Sequence, residues 1–378
     1  MRKILIITLE FPPHLGGIAT YVRYFAESLQ GNEVIVLAPK YKGDKEYDNN
    51  LGIKVVRKNP YFPKFIWPRW LRLFWQIFWL NRKEKFDILY LHHVLPVGYV
   101  GWLMKKLKKI PYLVFSHGTD VEMGARSAWK RRMLTKVTSE AEQIIFNSES
   151  LKHRLLKILP ELENKVVVLY PCPEKMFYEP PAEETIHKLR AQYALEGKKV
   201  MVTIARMIDG KGYPHLLRIF SKLTEVVPNL VWVVIGDGPK KNWFIEEMQK
   251  QNLQNAIRFI GEMPHQELKN YYHLADIFVL LTHPDEGREE GLGLVFLEAA
   301  ACGTPVVAGK SGGVEEAVVH TQTGLVVDIF KGDEFVINSI LELLKNADYA
   351  KQLGQNAQSR MQANFQWKHQ LKVISEWR

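Results

Sequence analysis

The sequence alternates short apolar runs with segments of helical periodicity along nearly its whole length. Each run ends in glycine, proline or polar residues, which is typical of a buried strand followed by a turn. Strands are predicted at residues 3–8, 33–38, 55–56, 86–92, 112–115, 143–146 and 166–169, and then at 199–205, 230–235, 257–259, 277–281, 305–308 and 325–327. This alternation predicts parallel sheets covered on both faces, with ligands at the carboxyl ends of the strands.

A proline-rich, acidic segment over residues 173–184 separates the two series of strands and indicates a linker. A chain of 378 residues has the length of two domains, and its 47% apolar content is enough for a core in each. We therefore predict an α/β protein with two halves of similar design.

Positive charge is concentrated in the first half of the chain. Residues 1–180 contain 29 Lys and Arg against 17 Asp and Glu, whereas residues 181–378 contain 22 against 24. A basic half suits an anionic membrane, nucleic acid or an acidic substrate. No nucleic-acid recognition module is evident, so nucleic acid is not an expected partner.

The cysteines and the apolar segments indicate in which cellular compartment the protein is expected. The two cysteines, Cys172 and Cys302, provide no disulfide framework or metal-ligand cluster, and they fit a reducing compartment. The first apolar run is too short for a signal peptide, and no run is apolar enough to span a bilayer. We expect a cytoplasmic protein.

Residues 289–299 contain two acids, Glu290 and Glu298, on either side of a glycine-rich turn. The turn leads into a helix that we expect to begin near Gly293 or Leu294. A helix N-terminus presents unpaired N–H groups and a positive dipole end, which suits a phosphate. Ionised carboxylates only accept hydrogen bonds, so the two acids should meet hydroxyl groups. A ligand with central phosphates and polyols on both sides is a nucleotide sugar.

Two cations follow the first strand of the second half. Arg206 and Lys211 lie in a loop before a helix, with Gly210 and Gly212 next to Lys211. Such a pair could hold a diphosphate and neutralise the charge that develops on a leaving nucleoside diphosphate. The alternative is a solvated surface loop, where Arg and Lys are common.

These features belong to a set of motifs with a characteristic order and spacing. The set comprises Gly16-Gly17, SHGTD at 116–120, Ala205-Arg206 with Lys211-Gly212, GDGP at 236–239, Glu290 and Glu298 separated by seven residues, and GTPVV at 303–307. With this set the chain resembles the retaining glycosyltransferases of the E-x7-E type (family 4). Within this group it is most similar to the phosphatidyl-myo-inositol mannosyltransferases.

The resemblance implies the GT-B fold, in which two facing Rossmann-like domains have the active site in the cleft between them. Residues 1–178 would form the acceptor-binding domain and residues 179–362 the nucleotide-sugar domain. A C-terminal helix over 363–378 would cross back onto the first domain.

The resemblance also implies roles for individual residues. Glu298 would accept hydrogen bonds from the ribose and Glu290 from the transferred sugar, while Arg206 and Lys211 would stabilise the departing diphosphate. His117 would face the donor sugar without being the general base. Further donor contacts are expected from Gly16, Gly17, Gly236, Met263, Gly293, Leu294 and Val295. His14 and Asp120 are candidates for the acceptor site.

The implied reaction transfers a sugar with retention of its anomeric configuration. Because Arg206 and Lys211 could take the place of a divalent ion, no metal or other cofactor is expected. Glu290 is the one carboxylate placed to act as a nucleophile, and the resemblance favours front-face attack instead. We expect GDP-mannose as donor and a lipid-linked acceptor such as a phosphatidylinositol mannoside. A UDP-sugar transferase, a nucleotide-sugar epimerase and a non-catalytic sugar-nucleotide sensor are the alternatives.

Residues 61–80 contain four of the ten tryptophans. The spacing of Trp67, Trp70, Leu71, Phe74, Trp75 and Phe78 predicts one apolar stripe on a helix. Membrane contact through Trp67, Arg69, Trp70 and Arg72 would make the protein peripheral on the inner face of the cell membrane. The alternative is that the stripe packs against the first sheet.

Overall fold

The apolar runs form the strands of two parallel sheets in a computed structural model that describes residues 1–14, 16–118 and 127–378. The chain divides into two compact units. The first comprises Met1–Pro171 with Trp367–Arg378, and the second comprises Cys172–Gln366. The proline-rich segment over 173–184 therefore lies at the beginning of the second unit.

Within the described residues, the first unit has a seven-stranded sheet in the order β3-β2-β1-β4-β5-β6-β7. Its strands are β1 (Lys3–Ile7), β2 (Glu33–Ala38), β3 (Lys54–Arg57), β4 (Ile88–Leu91), β5 (Tyr112–Ser116), β6 (Ile144–Phe146) and β7 (Val166–Val168). Its helices are α1 (Gly17–Ser28), α2 (Asp44–Asn49), α3 (Leu71–Glu84), α4 (Val97–Lys108), α5 (Ala128–Glu140) and α6 (Glu149–Ile158).

The second unit repeats this design with six strands over its described residues, in the order β10-β9-β8-β11-β12-β13. The strands are β8 (Lys199–Ile204), β9 (Leu230–Ile235), β10 (Ile257–Gly261), β11 (Ile277–Leu280), β12 (Val306–Gly309) and β13 (Leu325–Val327). The helices are α7 (Glu183–Gln192), α8 (Tyr213–Val226), α9 (Lys241–Lys250), α10 (Leu268–Leu274), α11 (Leu294–Ala301), α12 (Val314–Ala317), α13 (Asp333–Lys345) and α14 (Ala347–Asn364).

The central strands are buried on both faces, which explains why they read as continuous apolar runs. Every residue of β5 and of β9 is buried, as expected for parallel strands with helices on both sides. Helix α8 contributes Leu216, Phe220 and Leu223 to the core of the second unit at helical spacing. The parallel α/β prediction is confirmed for both halves.

Both sheets follow the Rossmann strand order, and this order determines where a ligand can bind. The chain moves outward from the first strand to one edge and then returns to build the other edge, so the connections diverge between β1 and β4 and between β8 and β11. Loops that leave these strands in opposite directions open a crevice at their carboxyl ends. Each unit therefore has one such switch point.

The prediction for the tryptophan-rich segment was wrong in two respects. Helix α3 begins at Leu71, so Trp67 and Trp70 precede it. Pro68 keeps Trp67 out of the helix, because a proline disfavours helical conformation in the residue before it. The buried face consists of Leu73, Phe74 and Ile77, and it does not coincide with the predicted stripe.

The prediction of one continuous helix over residues 363–378 was also wrong. Helix α14 ends at Asn364, and a short helix α15 (Trp367–Gln370) is followed by 3₁₀ turns over Leu371–Trp377. This segment belongs to the first unit, where the Tyr90 hydroxyl donates a 2.9 Å hydrogen bond to the Trp377 carbonyl.

Candidate functional site

The loops after β8 and β11 meet at the switch point of the second sheet. The His283 amide donates a 3.0 Å hydrogen bond to the Gly210 carbonyl, which joins the two loops. Gly212 adopts a φ of +77°, and a Cβ atom there would lie 2.3 Å from the Leu281 carbonyl oxygen. Only glycine combines this φ with so close an approach. The position of Lys211 is therefore set by the backbone on both sides of it.

Lys211 and Glu290 form an ion pair across this switch point. The Lys211 Nζ contacts the Glu290 Oε2, and the two side chains are 21% and 17% exposed. The Glu290 backbone is fixed in turn, because its amide donates to Ser311 Oγ at 3.1 Å and its carbonyl accepts from the Gly313 amide at 3.0 Å. A cation and a carboxylate thus occupy defined positions at the carboxyl edge of the sheet.

Helix α11 begins beside this ion pair. Its first residue is Leu294 and its N-cap is Gly293, which confirms the predicted start. Gly293 has a φ of +87°, and a Cβ there would lie 2.4 Å from the Phe296 ring and 3.5 Å from Glu290 Cγ. The amides of Leu294 and Val295 occupy positions that have no acceptor within a helix. Unpaired N–H groups, a positive dipole end and Lys211 together suit a diphosphate.

Glu298 lies one turn further along α11 and is only 3% exposed. The Tyr272 hydroxyl donates to its Oε2 at 2.9 Å, and His265 Nε2 lies 2.8 Å from its Oε1. On the other side of the imidazole, Nδ1 lies 2.9 Å from an oxygen of Glu174. The sequence carries no spacing signal for these partners, because 26 and 33 residues separate Tyr272 and His265 from Glu298.

The two carboxylates hold His265 in its protonated form. Burial alone would lower the pKa of His265, but Glu298 and Glu174 outweigh burial and raise this pKa to about 10. Burial and the neighbouring Glu298 also raise the pKa of Tyr272 well above its usual value. At neutral pH, Glu298 is therefore bonded by an imidazolium and a neutral phenol.

The other residues predicted to bind the donor lie along the same edge of the second sheet. Arg206 is exposed two residues after β8, and the described residues include no hydrogen-bond or ion-pair partner for its guanidinium. Gly236 follows β9, where a Cβ would lie 2.0 Å from the Ala205 carbonyl oxygen. Met263 is half-buried just after β10.

The candidates in the first unit lie after β1 and β5. Gly16 and Gly17 form the start of α1, and the exposed His14 stacks on Tyr41 with ring centroids 5.2 Å apart. His117 follows β5 and stacks on His92 at 5.6 Å. Asp120 lies outside the described residues.

His117 is a neutral imidazole in this setting. Burial lowers its pKa to about 3, with a smaller contribution from His93. Its buried Nε2 has no hydrogen-bond partner in the described part of the chain.

Trp67 is 81% exposed, whereas Trp70 packs on Tyr99 with ring centroids 5.0 Å apart. The guanidinium groups of Arg69 and Arg72 donate to the carbonyls of Phe62 and Tyr61. These four candidates therefore do not share one exposed face, because Trp70 turns toward the core.

Two kinds of feature are absent from the described residues. Among the described residues, no group of three or more His, Cys, Asp or Glu side chains could hold a metal ion. In the same residues, no helix combines the length and apolar character that crossing a bilayer requires.

Two protein-family models match the chain in succession. Glycosyltransferase Family 4 matches residues 15–172, and Glycosyl transferases group 1 matches residues 185–360. Together with the two Rossmann-like sheets, these matches show that the chain belongs to the glycosyltransferases of the GT-B fold.

Among curated proteins, the chain is 28% identical to the GDP-mannose-dependent alpha-(1-6)-phosphatidylinositol monomannoside mannosyltransferase of Mycolicibacterium smegmatis, over 97% of this chain and 95% of that protein. It is 25% identical to the corresponding enzyme for the monoacylated acceptor in Corynebacterium glutamicum, with the same coverage.

Solved structures share the fold at lower identity. An Anabaena protein in complex with UDP matches with a TM-score of 0.83 and 18% identity, over 100% of this chain and 99% of that one. A glycosyltransferase from Rickettsia africae matches with a TM-score of 0.84 and 20% identity, over 99% and 97%.

Proposed function

We propose that the protein transfers mannose from GDP-mannose to a lipid-linked acceptor with retention of configuration and without a metal. The observation that carries the proposal is the Lys211–Glu290 pair beside the N-terminus of α11. This arrangement offers a cation and free amides to a diphosphate, with a carboxylate on either side for hydroxyl groups. The names of the mannosyltransferase relatives support the choice of donor sugar and acceptor.

The donor would lie across the carboxyl edge of the second sheet. The amides of Leu294 and Val295 would bind the diphosphate, Glu298 would accept from the ribose, and Glu290 would accept from hydroxyls of the sugar. Arg206 is free to move toward the diphosphate, because its side chain is exposed. Lys211 is held near it by Glu290.

The reaction would proceed on one face of the sugar. The acceptor oxygen forms a bond to the anomeric carbon while the bond from that carbon to the phosphate oxygen breaks. The departing phosphate takes the proton of the acceptor hydroxyl. Lys211, Arg206 and the α11 amides stabilise the charge that develops on this phosphate, and electrostatic stabilisation of this kind is usually the largest single contribution to enzymatic catalysis.

An anionic lipid surface is the partner we propose for the first unit. Phe65, Trp67, Trp75 and Trp79 are exposed although they are large and apolar. A pocket of about 480 Å³ beside α3 is lined by Trp75 and Trp79 and by the cations Lys58, Arg72 and Lys83. Exposed tryptophans next to cations are typical of proteins that bind the headgroup region of a membrane.

The experiment is a panel of GDP-mannose, GDP-glucose, UDP-glucose and UDP-N-acetylglucosamine, each labelled in the sugar. Each donor is incubated with the full-length protein and vesicles that contain phosphatidylinositol monomannoside, and label in the organic extract is counted. GDP-mannose should give lipid-extractable label. Transfer from a UDP-sugar alone would replace the proposed donor, and conversion of a donor without any acceptor would indicate an epimerase. Binding of a donor without turnover would indicate a sensor.

A further inference from the structure

Glu298 is the inner end of a chain of charged groups that runs through His265 to Glu174. We infer that His265 is a positioning residue, which acts as a fixed cation between the two carboxylates and orients Glu298 toward the ribose hydroxyls. The inference rests on the proposed function, because it takes Glu298 as the ribose-binding residue.

The geometry allows His265 little freedom. Its two ring nitrogens point in different directions from one rigid plane, and each lies within 3 Å of a carboxylate oxygen, at 2.8 Å for Glu298 and 2.9 Å for Glu174. The Phe177 ring packs edge-on against the imidazole, with centroids 5.3 Å apart, and also against Tyr272 at 5.9 Å. A rotation of the imidazole would therefore break an ionic contact and a ring contact together.

The partners of Glu298 leave a defined set of acceptor positions. An ionised carboxylate has two oxygens with about four lone-pair sites. His265 uses one site on Oε1 and Tyr272 uses one on Oε2, so each oxygen retains one. The 2′- and 3′-hydroxyls of a ribose are neighbouring donors that match two such oxygens. A carboxylate free to rotate would present this pair of sites only part of the time.

The charge of His265 is needed because Glu298 is buried. An ionised carboxylate that is almost entirely removed from water is costly without a cation bonded to it. A neutral His265 would leave this buried carboxylate without a charged partner on Oε1. Glu174 bonds the second nitrogen and so favours the doubly protonated ring.

A purely structural role predicts a different result from a positioning role. The same contacts join the segment before the 3₁₀ helix Lys175–Tyr178 to α11, so their loss could simply loosen the unit. A loosened unit would bind all nucleotides more weakly, to the same extent. A misplaced Glu298 would lower the affinity only for nucleotides that carry ribose hydroxyls.

The test compares affinities for GDP and 2′,3′-dideoxy-GDP by calorimetry, with UDP and its dideoxy analogue in parallel. The proteins are the full-length wild type, His265→Gln, Glu298→Gln and the control His187→Gln, whose histidine is exposed on α7. The wild type and the control should bind the ribose form of each nucleotide at least ~10-fold more tightly than its dideoxy form, as expected for hydrogen bonds to a charged group. The measured quantity is this ratio of the two affinities. His265→Gln and Glu298→Gln should reduce this ratio to about twofold or less and leave dideoxy binding nearly unchanged.

The outcomes separate the inference from the proposed function. A wild-type ratio retained in His265→Gln, or an equal loss for both forms, would overturn the inference. Failure of the wild type to bind any of these nucleotides would overturn the proposed function itself. If His265→Gln does not fold, Glu174→Gln is tested instead, because it removes the more exposed of the two carboxylates that hold His265 in its protonated form. In this variant, the ratio of affinities for the ribose and dideoxy nucleotides should fall as the pH is raised above neutral. A ratio that stays constant with pH would contradict the inference.

Discussion

Replacing Lys211 with methionine removes a cation that an ion pair with Glu290 holds at the switch point of the second sheet. Methionine keeps most of the apolar stem, so the change mainly removes the charge. Two effects follow. Glu290 loses its ion-pair partner, and the departing diphosphate loses a stabilising cation.

The second effect should dominate. Loss of a partly buried, charged hydrogen bond costs about 1.5–3 kcal/mol of folding stability at most, and the remaining exposure of both side chains reduces this cost. A group that stabilises charge in the transition state contributes more, and its removal lowers kcat by about 10²–10³-fold. We therefore expect Lys211→Met to stay folded and to lose most of its kcat.

The assay measures kcat and KM for sugar transfer, together with the melting temperature. Lys188→Met is the matched control, because its ion pair with Glu184 on α7 is largely exposed and should contribute nothing measurable. A double variant with Glu290→Gln should recover stability but not activity. If folded Lys211→Met keeps kcat within about threefold of the wild type, less than 1 kcal/mol of the barrier depends on this charge and the reasoning is refuted.

Four further results are expected. Transfer should survive dialysis against a chelator, and activity restored only by a divalent ion would disprove metal independence. Gly212→Ala should lower the melting temperature, because its Cβ would lie 2.3 Å from the Leu281 carbonyl; an unchanged melting curve would contradict this close approach. Trp67→Ser with Trp79→Ser should reduce cosedimentation with anionic vesicles while nucleotide affinity stays constant, and undiminished cosedimentation would assign the exposed rings no membrane role. The folded-state pKa of His265 is raised to about 10 from its ordinary value of 6.5, so its contribution to stability is complete below about pH 6.5 and is lost toward pH 10. The unfolding free-energy difference between the wild type and His265→Gln in urea should therefore shrink over this interval, by at most about 1.4 kcal/mol per pH unit, and a difference independent of pH would exclude the imidazolium.

The sheets and the start of α11 could be predicted from the sequence because both depend on local patterns. Buried parallel strands produce apolar runs, and the glycines before Leu294 mark a helix start. Gly212 was recognisable as a loop glycine, but its approach to Leu281 depends on the pairing of β8 with β11.

Other features depend on tertiary contacts or on a local rule that competes with periodicity. Apolar spacing around Trp67 predicts a helix, but Pro68 excludes Trp67 from it, and the helix begins at Leu71. The cation that bonds Glu298 comes from a different element, and only the folded chain shows that His265 lies between two carboxylates.

The most direct test of the central claim is a crystal structure of the full-length protein with GDP. The account predicts that the diphosphate lies within hydrogen-bond distance of the Leu294 and Val295 amides and of Lys211, and that the ribose hydroxyls bond to Glu298. A diphosphate bound elsewhere, or a ribose turned away from Glu298, would contradict it.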